Sequence, residues 1–150
     1  MIFRSIFIIF TLFSSALLAN APSAMQTSTT LVKIHTSKAE HMFHLEIAAS
    51  EKQQEDGLMF RKAIAPDGGM LFQYDPPRPV YMWMRNTLIP LDMLFVSSDG
   101  TIQHIVENAA PHSEEPRGIL SPSKAVLELR GGTVKRLGIA RGDQVTYEGP

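Results

Sequence analysis

Alternation of apolar and polar side chains, the period of a half-buried strand, runs through most of the chain after residue 30 and predicts a strand-dominated domain. Leu31, Val32 and Ile34 within Thr30 to Thr36 form one candidate strand. Phe43, Leu45 and Ile47 alternate with Met42, His44 and Glu46 in a second, and Ser37-Lys38-Ala39-Glu40 supplies the hairpin connection. Ser50 followed by Gln53 is a capping-box pattern that opens a short helix through Asp56, stopped by Gly57. The turn Ala65-Pro66-Asp67-Gly68-Gly69 precedes a short strand at Met70 to Phe72, and Val80 to Met84 reads as another. Between them Asp75-Pro76-Pro77-Arg78-Pro79 is expected as a stiff loop or sheet edge, because prolines bring no amide donor to a ladder. Asp92 to Val96 and Thr101 to Val106 flank Ser97-Ser98-Asp99-Gly100, the strongest hairpin signal in the chain. Asn108 to Pro122 holds three prolines and few large apolar residues, and is expected as a long surface loop. Ala125 to Leu129 is another strand, Gly131-Gly132 a break, Thr133 to Leu137 a short helix ended by Gly138, and Gln144 to Tyr147 the closing strand. Seven to eight short strands with two short helices predict a mainly β fold, either a compact β-sandwich or a small barrel.

The first residues break the pattern. Met1 to Arg4 gives a short positive start, Ser5 to Leu18 is an almost unbroken apolar run, and Ala19-Asn20-Ala21 fits the small-x-small rule, so residues 1–21 read as a signal peptide. The run is shorter than the ~20 residues of a membrane span. Export to the periplasm or the exterior is therefore expected, with membrane contact only through this signal; an uncleaved N-terminal anchor is the alternative, favoured by Pro22 after the cut. Residues 22–30 are polar and aperiodic and read as a flexible leader, leaving 31–150 as a single β-rich domain. A chain of 150 residues with 44% hydrophobic and 19% charged side chains fits that single domain. A net charge of -1 without a basic run argues against dedicated nucleic-acid binding. The absence of cysteine excludes disulfides, thiolate metal sites and cysteine nucleophiles.

Four segments stand out as motifs: Gly57-Leu58-Met59-Phe60-Arg61; the run from Met82-Trp83-Met84-Arg85-Asn86-Thr87 through Leu88-Ile89-Pro90-Leu91-Asp92-Met93-Leu94-Phe95; Val126-Leu127-Glu128-Leu129 with Gly131-Gly132; and Leu137-Gly138-Ile139 with Gly142-Asp143-Gln144-Val145. Their order and spacing, over about residues 31 to 148, closely resembles the family called domain of unknown function 192. The resemblance implies a small, mainly β, sandwich-like domain, often exported, and it implies no reaction.

Function is then left to the residues. Arg85, Asn86, Thr87 and Asp92 are the polar members of an otherwise apolar run, the arrangement from which ligand sites are commonly built. A non-catalytic binding or accessory module is expected, in which a polar pocket around Arg61, Asn86 and Asp92 holds a small polar ligand such as a saccharide or a peptide end; Arg61 or Arg85 would bind it and Asp92 would orient it. Trp83 adds an aromatic that either stacks on a ligand or anchors the core; with its neighbour Tyr81 it forms a platform if their face is open. One alternative is a hydrolase using Asp92 and Glu128 as paired carboxylates. Another is a structural interaction module in which Asn86 and Thr87 bond their own turn and Asp92 pairs with Arg61, Arg85 or the neighbouring amides. No hydrolase elbow, zinc-helix, phosphate-loop or dinucleotide motif is present.

No cofactor and no metal site are expected. Met82 and Met84 would share a strand face as thioether ligands for Cu(I), but most methionines sit among Leu, Phe and Trp as core filler. His41 and His44, an odd number of positions apart, would face opposite sides of a strand. The sequence names no protein partner.

Overall fold

The computed structural model describes residues 28–148. The expected signal peptide and residues 22–27 of the expected leader lie outside them. Elements follow as β1 (Thr29–His35), β2 (Glu40–Ala48), α1 (Glu51–Asp56), β3 (Gly68–Met82), β4 (Leu91–Val96), β5 (Ile102–Ala109), β6 (Arg117–Arg130), α2 (Thr133–Leu137) and β7 (Gln144–Tyr147). Seven strands form one curled sheet, a half-barrel, in the order β5-β4-β6-β3-β2-β1-β7. It is a single sheet curled on itself, and so only loosely a sandwich. Neighbours run antiparallel except β2 and β3, which are parallel and connected by the segment that carries α1.

The ends of the order meet at one corner. Thr101 bridges Gln144, and the Ile102 amide donates to the Asp143 carbonyl at 2.9 Å while the Val145 amide donates to that of Gly100 at 2.8 Å. Curling sorts the apolar side chains into two clusters. The concave one takes residues from all seven strands, among them Ile34, Phe43, Leu71, Leu94, Ile102, Leu127 and Val145, and α2 adds Val134. The convex one, centred on Phe72, Met93, Phe95 and Val126, is covered by Leu58 after α1 and Met84 after β3. β4 is buried along its whole length because both clusters pack on it.

The prolines mislead at two places. Asp75 to Pro79 lies within β3, which passes through it with register shifts against β6 between Gln73 and Arg78 and between Arg78 and Val80. Such bulges leave residues outside the ladder, so a missing amide donor is harmless there. The far half of β3 then pairs Val80 with Ile119, Tyr81 with Gly118 and Met82 with Arg117, so β6 begins at Arg117 and the long loop expected from Asn108 shrinks to 110–116. β3 ends at Met82, which leaves Trp83 and Met84 beyond the sheet. β1 begins at Thr29, paired with Glu46, two positions before the expected start of the domain. The capping box is present, with the Gln53 amide donating to Ser50 Oγ at 3.2 Å and the Ser50 amide donating to Gln53 Oε1 at 2.9 Å.

Asp92 ties one end of the half-barrel together. It is fully buried, and its carboxylate accepts three backbone N–H groups: Asn108 at 2.7 Å and Gly132 at 3.1 Å on Oδ1, and Val134 at 2.7 Å on Oδ2. Each donor lacks an ordinary partner. The β4–β5 register shifts between Leu91 and Met93, which frees Asn108 at φ 49, and α2 is capped by Gly132, which has no side chain to offer. Asp92→Ala removes the acceptor from three amides and is expected to lower stability by about 2–4 kcal/mol in urea unfolding. A loss below about 0.5 kcal/mol would show that water or local rearrangement replaces it.

Candidate functional site

Alternation along a strand decides which carboxylates can meet. In the register of β6 with its neighbours, Glu128 stands between Met70 of β3 and Met93 of β4, whereas Asp92 is opposite Leu129. Asp92 and Glu128 therefore point to opposite faces of the sheet, and the paired-carboxylate arrangement is not formed. Glu128 lies on the convex side with Val126, is 4% exposed, and has no hydrogen-bond partner for its Oε2. Burial pushes its pKa from the ordinary 4.5 up to about 8.

A cavity of about 120 Å³ opens over this carboxyl, walled by the end of α1, by Phe72, Tyr81 and Trp83, and by Thr87. Gly57, at φ 49, roofs it closely: a Cβ there would stand 3.4 Å from Phe72 Cζ and 3.7 Å from Glu128 Oε2. A side chain at 57 would thus fill the space above the acid. Trp83 and Tyr81 are 41% and 53% exposed, so neither is a core anchor and both stand open at the cavity. Nearby Tyr74 is buried, which raises its phenol to about 12, and the Arg78 guanidinium rests over its ring at 4.8 Å.

Of the residues singled out in the sequence, Trp83, Thr87 and Glu128 line this one cavity. Arg85 lies beside it, its guanidinium 5.3 Å from the Trp83 ring centre. Asn86, at φ 55, holds the adjoining loops together: its carbonyl accepts the Phe60 amide at 2.9 Å and its side-chain amide contacts Met59 Sδ at 3.9 Å. Thr87 closes a turn, its amide donating to the Met84 carbonyl at 3.1 Å and its hydroxyl to that of Arg85 at 3.3 Å. Arg61 pairs with Glu46 at 2.7 Å on a neighbouring depression. The pocket expected around Arg61, Asn86 and Asp92 is therefore not assembled, because Asp92 belongs to the concave side and takes backbone amides instead of an arginine. Met84 is fully buried and Met82 partly so, both in the convex cluster. Among the described residues no group of three or more His, Asp or Glu could hold a metal ion.

The model of the family described as Uncharacterized ACR, DUF192, matches residues 32–147. The chain belongs to the DUF192 family. This DUF192 domain is similar to a solved structure from Sinorhizobium meliloti 1021, provisionally described as a transcription regulator, with 47% identity over 83% of this chain and 97% of that one and a TM-score of 0.80. It is also similar to a protein of unknown function from Novosphingobium aromaticivorans DSM 12444, with 41% identity over 79% and 84% of the two chains and a TM-score of 0.77. No curated protein matches the chain.

Gly57 and Phe72 line the cavity, although the sequence proposes neither as a site residue. In the sequence Gly57 reads as a helix stop and as the first residue of a family motif, and nothing along the chain joins it to Glu128, 71 positions later. The DUF192 domain also has a wider, open depression of about 610 Å³ between the β4–β5 hairpin and β7. There Asp99 is already held by Ser97 and Thr101, whose hydrogen bonds keep its carboxyl below the usual range.

Glu128 makes stability fall with pH. The folded chain keeps a proton that the unfolded chain releases, so its contribution is complete below about pH 4.5, declines up to about pH 8 and is flat above. Glu128→Gln is expected to abolish this slope and to exceed the parent by about 2–4 kcal/mol at alkaline pH, where an ionised buried carboxylate weighs most. Urea unfolding at about pH 5 and about pH 8.5 measures it; the same parent-to-variant difference at both would refute the assignment.

Proposed function

We propose that this DUF192 domain is a non-catalytic binding or accessory module that receives one end of a small polar ligand in the cavity over Glu128. The observation that carries the reading is the unpartnered, buried Glu128 Oε2 at the base of that cavity. A buried polar atom without a partner is costly, and a ligand that completes its hydrogen bonding removes the cost. The exposed Trp83 and Tyr81 beside the opening add stacking area for the rest of the molecule, the mixture of apolar walls and few polar groups that small-ligand sites use. A saccharide or a peptide end has this make-up. The hydrolase reading loses its support because Asp92 and Glu128 face opposite sides of the sheet.

Export is part of the proposal and rests on the Met1 to Ala21 pattern. Fractionation of tagged protein is expected to recover it outside the cytoplasm with a shortened N-terminus; full-length soluble protein confined to the cytosol would overturn that part.

Trp83 is the chain's single tryptophan and lines the cavity, so its fluorescence reports occupancy directly. Screening the purified full chain against small sugars, amino acids and their amides is expected to find compounds that shift Trp83 emission and raise the melting temperature. Both responses should be lost in Glu128→Gln, with its own melting curve as the check on folding. Silence of both readouts across the screen at millimolar concentration would overturn the binding reading.

A further inference from the structure

The cavity over Glu128 carries acidic groups only. Glu55 and Asp56 at the end of α1 stand at its wall with Glu128 at its base, and no lysine or arginine lines it. The other walls are aromatic, from Phe72, Tyr81 and Trp83. Low-dielectric walls of one charge sign focus a field on the space between them, and aromatic faces add attraction for the same sign of ligand. The volume, about 120 Å³, admits a slim group and excludes a sugar ring from the base. Oε2 also lacks a donor, which a quaternary ammonium has no N–H to supply.

We infer that the ligand end received by this cavity is a primary ammonium on a short aliphatic stem, the N–H groups bonding Glu128 and the stem lying against Trp83. This rests on the binding reading above and narrows it to one ligand chemistry. The other titratable groups that face the site are Glu55 and Asp56 from α1 and Tyr81 from β3, with Tyr74 of β3 nearby. Lys52 holds Asp56 at 2.7 Å, Arg78 lies over Tyr74, and Arg85 lies over Trp83. Met93 of β4, across from Glu128, contributes no charge. Ammonium binding displaces the proton that burial keeps on Glu128, so affinity for an amine rises with pH while the amine stays charged.

The test is calorimetric titration of the full chain with n-butylammonium, Nα-acetyl-lysine amide, glycinamide, tetramethylammonium and glucose, in phosphate and in a sulfonate buffer free of primary amines. Butylammonium is expected to bind with proton release, seen as a buffer-dependent enthalpy, and to tighten by up to about tenfold per pH unit below about pH 8. Tetramethylammonium is expected to bind at least about tenfold more weakly, since it leaves the carboxylate without a donor. Glu128→Gln should abolish proton release, and Trp83→Ala should weaken binding while leaving proton release in place; melting curves confirm that both variants fold. The lysine and glycine arms separate a side-chain ammonium from a peptide terminus as the source. Saturation by glucose with no response to any amine would overturn the ammonium inference and leave the binding reading standing. Amine binding that persists unchanged in Glu128→Gln would overturn the assignment to this cavity, and silence of every probe would overturn both.

Discussion

A single buried carboxylate holds together the parts of this fold that the sheet alone does not. Asp92 gathers the bulged end of β5, the Gly132 turn and the first turn of α2 around one anion, across separations of 16, 40 and 42 residues. Hydrogen bonds to an ionised acceptor are roughly twice as strong as neutral ones, and three amide dipoles converging on one group offset much of the penalty of burying its charge. Without that acceptor α2 would begin on a glycine with nothing to satisfy its first amides, and the plug that Val134 contributes to the concave core would lose its anchor.

Glu128 has the same chemistry in the opposite circumstance. It is nearly as deeply buried, yet the strand period turns it to the convex face, where side chains surround it and no donor reaches its Oε2. One acid is consumed by architecture and the other is left free. The sheet separates the two roles by geometry alone, since adjacent positions in paired strands cannot face the same way. Family membership and the related bacterial structures establish the domain without naming a reaction, so the functional weight falls on the acid that the fold leaves unsatisfied.

Much of the architecture was legible along the chain. The capped helix at Ser50, the hairpin at Asp99-Gly100 and the alternation of Phe43, Leu45 and Ile47 each use interactions between near neighbours, which a sequence displays. Asp75 to Pro79 and the residues after Asn108 run against their local sequence for one reason: whether proline interrupts a strand depends on where the partner strand bulges, and that partner is β6, about 40 residues away in the chain. The site was half legible. Chemistry marks Trp83, Thr87 and Glu128 as candidates, but it marks Arg61 and Asp92 equally, because neither the strand register that turns Asp92 away nor the Arg61–Glu46 pairing shows in composition. Asp92 looked like a ligand group because its partners are backbone amides, which every residue type carries alike.

The pairing of the first strand with the last has a further consequence. β1 and β7 are neighbours, and the Thr30 hydroxyl donates to the Glu148 carbonyl at 3.0 Å, so the first and last described strands leave the domain side by side. Ends this close can be joined by a short linker, and the exposed Ser37-Lys38 tip between β1 and β2 offers a place to reopen the chain. A circular permutant built this way would keep every strand neighbour while the polypeptide visits them in a new order. The half-barrel's connectivity is in that sense separable from its contacts, because its first and last strands are already neighbours.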